Sequence, residues 1–317
     1  MKSVQIAALA ASVCFAALPV QAQDSKVAIG MSGWTGFGPL SLAKEAGLFK
    51  KNGLDATIRM IPQKDRHLAL ASGDIQCAAT TSETWIVWNA AGVETVQLFQ
   101  TDKSFGADGM VVRNNIQKIS DLKGKTIAAS APGTAPYFAM AWMLKKNGLS
   151  VKDVTVVNME PNPAAQAFVA GQTGIDAALT YEPYLSTVRD KPEAGKIIAT
   201  TLDYPIVLDT FGCTPKFIKE NPKAVQAIVD SFFEAVELIK KEPAKSHATM
   251  GAVVKQTGEQ YAKSASYLRW ADRAANKTFF AGELQAFQKE AAALLLEVGI
   301  IKKIPDLDKM IDTSFIK

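Results

Sequence analysis

The chain has 317 residues, of which 48% are hydrophobic and 21% are charged. This apolar fraction is too high for an intrinsically disordered chain, and 3 cysteines are too few for a disulfide-based scaffold. The 35 basic and 31 acidic residues are interspersed and give a formal net charge of +4, without the basic stripe that nucleic-acid binders show. The length is sufficient for two domains of roughly 100–200 residues each.

The first 22 residues predict a secretory signal peptide. A basic start at Lys2 is followed by an uncharged apolar run at residues 4–18, and Ala22 ends a small-residue pattern suited to cleavage. A membrane anchor is the alternative, but the run is shorter than the roughly 20 residues that a spanning helix needs. We therefore expect export to the periplasm and removal of residues 1–22, with the precise cleavage position left open.

The mature chain contains a faint internal repeat. Residues 50–54 read KKNGL, and the same five letters recur at residues 145–149, which is 95 positions later. Each copy is typical of a helix end, because lysines suit the last turn and glycine suits the left-handed position after it. The correspondence continues to Glu83 and Glu182, which are 99 positions apart. The steady spacing predicts two halves with the same strand–helix–strand–helix–strand order.

Strands that alternate with helices predict an α/β fold with a mainly parallel sheet in each half. Ligands of such sheets bind beyond the carboxyl ends of the strands, so two facing halves would form a cleft. Strand-rich stretches at residues 105–113 and 197–217 would join the halves twice and act as a hinge. We therefore predict lobe 1 at residues 24–108 and 205–317, which include the C-terminal helices, and lobe 2 at residues 109–204.

Cys77 and Cys213 are the two cysteines of the predicted mature chain. If the chain returns to lobe 1 after residue 205, both cysteines belong to the same sheet. They could then form a disulfide in an oxidising compartment, whereas two buried thiols are also common in protein cores. The sequence leaves the choice open.

Five short segments together form the pattern of a known family. They are residues 33–39 (GWTGFGP), 46–49 (AGLF), 70–75 (LASGDI), 121–126 (DLKGKT) and 131–134 (APGT). In this order they resemble periplasmic substrate-binding proteins of ABC importers, in the taurine, nitrate, sulfonate and thiamine-precursor group. The resemblance implies a two-lobed periplasmic binding protein fold of type II that closes on a small solute and delivers it to the permease subunits of an ABC transporter.

Motifs of enzymes are missing from the sequence. We find no GxxxxGK[ST] phosphate loop, no HExxH zinc motif and no GxSxG nucleophile elbow. The two histidines, His67 and His247, have no Cys or His partner at metal-ligand spacing. A related fungal branch makes the thiamine pyrimidine with a Cys-rich motif, which this chain lacks. We therefore expect a monomeric binding protein that has no enzymatic activity, no cofactor, no metal and no nucleic-acid partner.

The candidate ligand-binding residues follow predicted strands. Glycines in residues 33–39 let the backbone approach a ligand closely, and N–H groups at helix starts can bind an anionic end. Trp34 would offer a cation–π face or, alternatively, would only plug the edge of the lobe. The candidates are Trp34, Thr35, Phe37, Ser82, Glu83, Thr134, Tyr137, Tyr181, Glu182 and Asp209.

Three acids among these candidates indicate the chemistry of the ligand. The repeat makes Glu83 and Glu182 equivalents from opposite lobes, and Asp209 resembles the position at which taurine binders place an acid for the substrate amine. Carboxylates in a closed cleft are unfavourable unless they are paired, and an amine-bearing ligand would supply the pairing. The alternative is that these acids cap helices or pair with Arg113 or Arg189.

These residues together predict a small polar solute that carries an amine, amidine or amide group, such as taurine. Nitrate fits less well, because no Lys or Arg stands at the predicted strand-end turns. Three alternatives stay open: a thiamine-precursor pyrimidine, an amidine or guanidinium compound, and a role as the ligand-sensing component of a receptor.

Overall fold

A computed structural model describes residues 25–317 of the chain, and the predicted signal peptide at residues 1–22 lies outside them. Strands of the described part alternate with helices through most of its length. The strands are β1 Ser25–Met31, β2 Leu54–Met60, β3 Cys77–Thr81, β4 Val96–Ser104, β5 Asp108–Val112, β6 Thr126–Ala129, β7 Thr155–Asn158, β8 Ala177–Tyr181, β9 Lys196–Thr200, β10 Leu208–Cys213 and β11 Leu268–Trp270.

The helices are mostly short and connect successive strands. None of the helices within residues 25–317 is both long and apolar enough to span a membrane. The helices are α1 Gly38–Glu45, α2 Leu48–Lys51, α3 Gln63–Ser72, α4 Ser82–Ala90, α5 Ala135–Lys146, α6 Pro161–Val169, α7 Tyr184–Arg189, α8 Pro215–Glu220, α9 Pro222–Lys241, α10 Pro243–Val253, α11 Gly258–Ala265, α12 Arg273–Thr278 and α13 Leu284–Glu297.

The first sheet has six strands in the order β11-β4-β10-β3-β1-β2. β1 pairs in parallel with β2 and with β3, whereas β10 runs antiparallel between β3 and β4. Because β10 comes after all strands of the second sheet, the chain leaves the first sheet and later returns to complete it. We call this sheet and its flanking helices lobe 1.

The second sheet has five strands in the order β7-β6-β8-β5-β9. β6 is parallel to β7 and β8, and β5 is antiparallel to β8 and β9. We call this sheet and its helices lobe 2. The chain crosses between the lobes at residues 105–107 and 201–207. Parallel and antiparallel pairs occur in both sheets, so each sheet is mixed. Two sheets flanked by helices are the α/β architecture that the sequence predicts, and this prediction is confirmed.

The apolar face of α9 packs on the first sheet. Proline in the first turn suits the helix start, and apolar residues then recur at helical spacing, with Ile228, Val229 and Phe232 fully buried. The Phe232 ring lies 4.7 Å from that of Phe99 in β4, which stacks on Phe211 in β10 at 4.9 Å. This packing fixes β10 beside β4 and so positions the residues at the end of β10 that faces lobe 2.

Cys77 and Cys213 form a disulfide. They are register partners on the antiparallel strands β3 and β10, and both are fully buried. The sequence leaves open whether the two cysteines form a disulfide or stay as thiols. The pairing of β3 with β10 brings them together, although they are 136 residues apart in the chain.

Candidate ligand-binding cleft

The facing edges of the two sheets enclose a small cavity. Lobe 1 contributes the ends of β1 and β3 and the beginning of β10, and lobe 2 contributes the beginning of β5, the end of β8 and the beginning of α5. The cavity has a volume of about 20 Å³, which is room for about one water molecule, so the lobes are closed on each other. Its lining residues are Ser32, Trp34, Phe37, Gln63, Arg66, Thr80, Thr81, Asp108, Ala135, Tyr181, Val207 and Asp209.

Asp209 and Asp102 lie side by side in the first sheet. They are register partners on β10 and β4, and Thr81 of β3 is the partner of Asp209 on the other side. Register partners place their side chains on the same face of a sheet. Both carboxyl groups are buried, with 2% exposure for Asp209 and 0% for Asp102. Two like charges so close to each other repel, which disfavours simultaneous ionisation.

Burial shifts the pKa of four acids around the cavity upward. It raises the pKa of Asp102 to about 8 and that of Glu83 to about 8, and it raises the pKa of Asp108 to about 7. The pKa of Asp209 rises well above its ordinary value through burial first and repulsion from Asp102 second. Each of these acids therefore favours either a bound proton or a neighbouring cation.

Three of the four acids keep a buried oxygen without a hydrogen-bond partner within residues 25–317. These oxygens are Glu83 Oε2, Asp108 Oδ2 and Asp209 Oδ2. Asp102 differs, because Trp34 Nε1 donates to its Oδ1 at 3.1 Å and the Thr101 hydroxyl donates to its Oδ2 at 3.0 Å. Buried carboxylate oxygens without donors are unfavourable, so the arrangement favours a ligand that donates hydrogen bonds.

Arg66 in α3 is the cation that lines the cavity. Its Nε donates to the Ile61 carbonyl at 2.8 Å and its Nη1 to the Ala79 carbonyl at 2.6 Å, while Nη2 has no partner in the part of the chain that the structure describes. Burial lowers the pKa of Arg66 to about 10, so the guanidinium stays charged at neutral pH. The sequence shows no Lys or Arg at the predicted strand-end turns, and Arg66 reaches the cleft from α3 instead, which packs this side chain inward against β3.

An aromatic pair closes the cavity from both lobes. The ring of Trp34, in the turn after β1, meets the ring of Tyr181, at the end of β8, edge to face at 5.4 Å. Such contacts suit aromatic rings, and the exposed faces of both rings can attract a cation.

The turn that carries Trp34 is held by the C-terminal part of lobe 1. Tyr261 in α11 donates its hydroxyl to the Thr35 carbonyl at 2.6 Å, and Trp270 in β11 donates Nε1 to the Gly36 carbonyl at 3.0 Å. These two bonds satisfy the backbone of the turn from behind, so Trp34 is fixed toward the cleft.

Gln63 spans the cleft from α3 to lobe 2. Its Nε2 lies 2.8 Å from Thr80 Oγ1, 3.2 Å from Thr81 Oγ1 and 2.9 Å from Thr84 Oγ1. Its Oε1 accepts a hydrogen bond of 3.1 Å from the Ala135 N–H at the beginning of α5. The side chain therefore joins the two lobes directly.

The structure brings four of the ten predicted ligand-binding residues to the cavity. They are Trp34, Phe37, Tyr181 and Asp209. Glu83 lies one contact away, since the Thr81 hydroxyl, which lines the cavity, donates to Glu83 Oε1 at 2.5 Å.

The other predicted residues lie behind the lining. Thr134 precedes Ala135 and is buried, and Thr35 and Ser82 are buried without contributing to the cavity surface. Tyr137 is half-buried and packs against a hydrophobic cluster to which both lobes contribute.

Glu182 takes a different position from the one that the repeat suggests. Its Oε1 accepts from Arg189 Nε at 3.2 Å and its Oε2 from the Ser186 N–H at 3.1 Å, and it does not line the cavity. Arg189 also donates Nη2 to the Gly106 carbonyl of the first crossing at 2.7 Å. Glu182 therefore forms the ion pair with Arg189 that the sequence analysis gives as the alternative. Through Arg189 it stabilises the first crossing between the lobes.

The sequence does not predict several residues of the site, among them Asp102, which lies behind the lining. Asp102 lies inside a strand, and only its pairing with β10 brings it beside Asp209. Arg66 is part of a charged run that reads as a solvated helix start. The sequence signal for Asp102 is an acid within an otherwise strand-like run, which is typical of a functional position in a sheet. The remaining unpredicted lining residues are Ser32, Gln63, Thr80, Thr81, Asp108, Ala135 and Val207.

Solved structures share the fold. The alkanesulfonate-binding protein of Xanthomonas axonopodis pv. citri, bound to MOPS, superposes with a TM-score of 0.78 at 20% identity, over 92% of this chain and 100% of that one. A desulfurization enzyme superposes with a TM-score of 0.66 at 14% identity, over 92% and 97% of the two chains. The class is therefore the periplasmic binding protein fold, which hosts both binding proteins and an enzyme.

Sequence comparison identifies the family. The family described as NMT1/THI5 like matches residues 34–246, so the chain belongs to the NMT1/THI5-like family. The putative aliphatic sulfonates-binding protein of Bacillus subtilis is 27% identical over 290 residues, which cover 88% of this chain and 84% of that protein. The taurine-binding periplasmic protein of Escherichia coli is 29% identical over 174 residues, or 53% and 52% of the two chains.

These comparisons confirm the resemblance drawn from the five sequence segments. The protein is a solute-binding protein of the importer type to which its sulfonate- and taurine-binding relatives belong.

Proposed function

We propose that the protein captures a small polar solute that carries an amine, with taurine as the leading candidate, and presents it to an ABC permease. The observation that carries this proposal is the set of four buried acids around the cavity, Glu83, Asp102, Asp108 and Asp209. A ligand that brings a positive charge and N–H donors lowers the cost of burying them.

The charges of the cleft support a cationic group on the ligand. Arg66 is the guanidinium that lines the cavity, and Arg189 is already engaged with Glu182. If all four acids ionise, Arg66 offsets only one of them. An ammonium group near Asp209 would offset a second one and would meet the faces of Trp34 and Tyr181.

The same cavity also offers donors to an anionic end of the ligand. Arg66 Nη2 is a buried donor without a partner among the described residues, and the Ala135 N–H at the beginning of α5 is a second donor of the cavity once Gln63 releases it. The names of two relatives, which bind aliphatic sulfonates and taurine, are consistent with such a zwitterion. A thiamine-precursor pyrimidine, an amidine or a guanidinium compound is the second candidate, because acids outnumber the one cation and planar groups suit the aromatic pair.

The lobes would close on the ligand by bending at the two crossings. We propose lobe 1 as residues 24–108 and 205–317 and lobe 2 as residues 109–204, with a removable export signal at residues 1–22 and a monomeric periplasmic protein that contacts permease subunits. Hinge closure around a small ligand is an established motion of two-lobed binding proteins. We further propose that binding occurs without turnover.

Isothermal titration tests the ligand class. The panel contains taurine, an alkylsulfonate, nitrate, a guanidinium compound and an aminopyrimidine, titrated into the wild type and Asp209→Asn. We expect an amine or amidine to bind the wild type and to lose at least about tenfold in affinity in Asp209→Asn, since a hydrogen bond to a charged group contributes about 1.5–3 kcal/mol.

The matched control is Asp308→Asn, which changes an exposed acid outside the cleft and should leave the affinity unchanged. Tight binding of nitrate alone would reject the proposed ligand class. Product analysis of the same mixtures would detect turnover, and a released product would contradict the assignment as a binding protein.

A further inference from the structure

We propose that Gln63 is an internal hydrogen-bond acceptor that occupies the anion-binding position of lobe 2, holds the lobes together and selects against ligands that bear only an anionic group. This inference rests on the proposed use of the cleft as the ligand site. It concerns which group of a ligand can bind while Gln63 keeps its contact with Ala135.

The beginning of α5 has a backbone N–H group that is not used within the helix and that points to the cleft residue Gln63. The hydroxyl of the N-cap Thr134 donates to the Ala131 carbonyl at 2.7 Å and does not cap the helix. Pro136 has no N–H, so Ala135 supplies the donor at this end, as helix starts do for anions. That donor is taken by Gln63 Oε1 at 3.1 Å.

The orientation of the Gln63 amide is fixed by chemistry. A backbone N–H can only donate, so the atom facing Ala135 is the amide oxygen. The amide nitrogen then faces three threonine hydroxyls of lobe 1. One of them, Thr81, donates onward to Glu83 Oε1, which links the lobe-to-lobe contact to the acids of the cleft.

A second observation indicates that the same cavity can take an anionic group. Arg66 Nη2 is buried, lines the cavity with Gln63 and Ala135, and has no hydrogen-bond partner among the described residues. A sulfonate or nitrate group that enters the cavity can accept from Arg66 Nη2 and, for a second donor, from the Ala135 N–H. Because Gln63 holds the second donor, an anionic group must displace its carbonyl, whereas an ammonium group near Asp209 need not.

The test compares two probes that differ only by an amine, ethanesulfonate and taurine, by isothermal titration. Gln63→Ala removes the acceptor, and Gln63→Asn shortens the side chain by one methylene so that it no longer spans the cleft. We expect ethanesulfonate to bind either variant at least about tenfold more tightly than the wild type, because the helix N–H gains a charged partner. Gln166→Ala, on the exposed face of α6, is the control and should behave as the wild type.

A second measurement follows closure without any ligand. Small-angle scattering of the ligand-free protein should give a larger radius of gyration for Gln63→Ala than for the wild type, since one direct contact between the lobes is lost. An unchanged ethanesulfonate affinity in both folded variants would overturn the inference, even if taurine binds the wild type. If no amine binds the wild type but the variants gain ethanesulfonate binding, the inference stands and the proposed function fails.

Discussion

At the scale of single residues, the central feature is a set of buried acids. Burial raises the pKa of each of them above its ordinary value. Asp209 lies between Thr81 and Asp102 in the sheet, and repulsion from Asp102 adds to the effect of burial on its pKa. In the closed protein without a ligand, these acids favour the protonated form near neutral pH. A bound ammonium group would reverse that preference, so ligand capture should release protons.

The stability of the ligand-free protein should fall as the pH rises through neutrality. Burial raises the folded-state pKa of Glu83 to about 8, whereas an unfolded glutamate titrates near 4.3. Between these values the folded state holds a proton that the unfolded state has released, so the contribution of Glu83 to stability is present below pH ~4 and lost by pH ~8.

The substitution Glu83→Gln isolates this contribution. Urea unfolding at pH 5 and pH 8 should show a decrease for the wild type that is larger than that for Glu83→Gln, by on the order of a few kcal/mol. The glutamine carbonyl can still accept the Thr81 hydroxyl, which keeps the local hydrogen bond. An equal or steeper pH dependence in the variant would show that Glu83 is ionised in the folded protein at pH 5.

Residue identities in the cleft could be predicted only in part. The sequence predicts Trp34 and Phe37 because they follow a strand end, and it predicts Asp209 because this residue resembles a family position. Arg66 and Asp102 are not, because their placement depends on inward packing of α3 and on pairing of strands that are distant in the chain. Local patterns do not contain that information.

At the scale of elements, the turn after β1 shows how close packing positions the site. A Cβ atom at Gly36 would overlap Asp102 Oδ2 and Trp34 Nε1, and these two side chains are joined by the buried hydrogen bond from Trp34 Nε1 to Asp102 Oδ1. The glycine is therefore required by space, because the turn lies directly against β4. Tyr261 and Trp270 hold the same turn from the other side.

Gly36→Ala should break the Trp34–Asp102 hydrogen bond and cost about 1–3 kcal/mol of stability, in the range for overpacked sites. The ligand affinity should fall with it, and the near-ultraviolet circular dichroism should report a changed tryptophan environment. Gly282→Ala is the control, since a Cβ at Gly282 meets no atom within 4 Å. Equal urea midpoints for Gly36→Ala and the wild type would contradict the packing account.

The disulfide joins two strands that are distant from each other in the sequence. It joins β3 to β10 across 136 residues, so it limits the freedom of the unfolded chain strongly. We expect the double variant Cys77→Ala/Cys213→Ala to lose about 2–5 kcal/mol of stability in urea unfolding. Reductant should destabilise the wild type and leave the double variant unchanged. Equal unfolding midpoints for the oxidised and reduced wild type would contradict this role.

The internal repeat predicts elements better than it predicts contacts. It indicates the helix ends at Gly53 and Gly148, both of which have the left-handed backbone that follows a helix. It also pairs Glu83 with Glu182, yet the two acids have different surroundings. Glu83 joins the cleft network through Thr81, whereas α7 supplies Arg189 to Glu182. Equivalent backbone positions therefore do not ensure equivalent side-chain partners.

At the scale of the whole molecule, the lobes meet at several points besides the cavity. Lys263 in α11 pairs with Asp190 after α7 at 3.0 Å, and the Arg189 guanidinium lies 4.2 Å from the ring centre of Tyr267. The Lys263–Asp190 pair is exposed and so contributes at most about 1 kcal/mol. The ion pair therefore adds little to closure, whereas Phe138 of α5 and Phe287 of α13, whose ring centres lie 6.2 Å apart, belong to apolar packing between the lobes.

The most direct test of the account is the comparison of taurine with ethanesulfonate by isothermal titration into the wild type and Asp209→Asn at neutral pH. The two probes share the sulfonate and differ by the amine that the buried acids are proposed to bind. The account predicts that the wild type binds taurine more tightly, by at least about tenfold, and that Asp209→Asn removes most of this preference. Equal affinities of the wild type for the two probes, or tighter binding of ethanesulfonate, would contradict it.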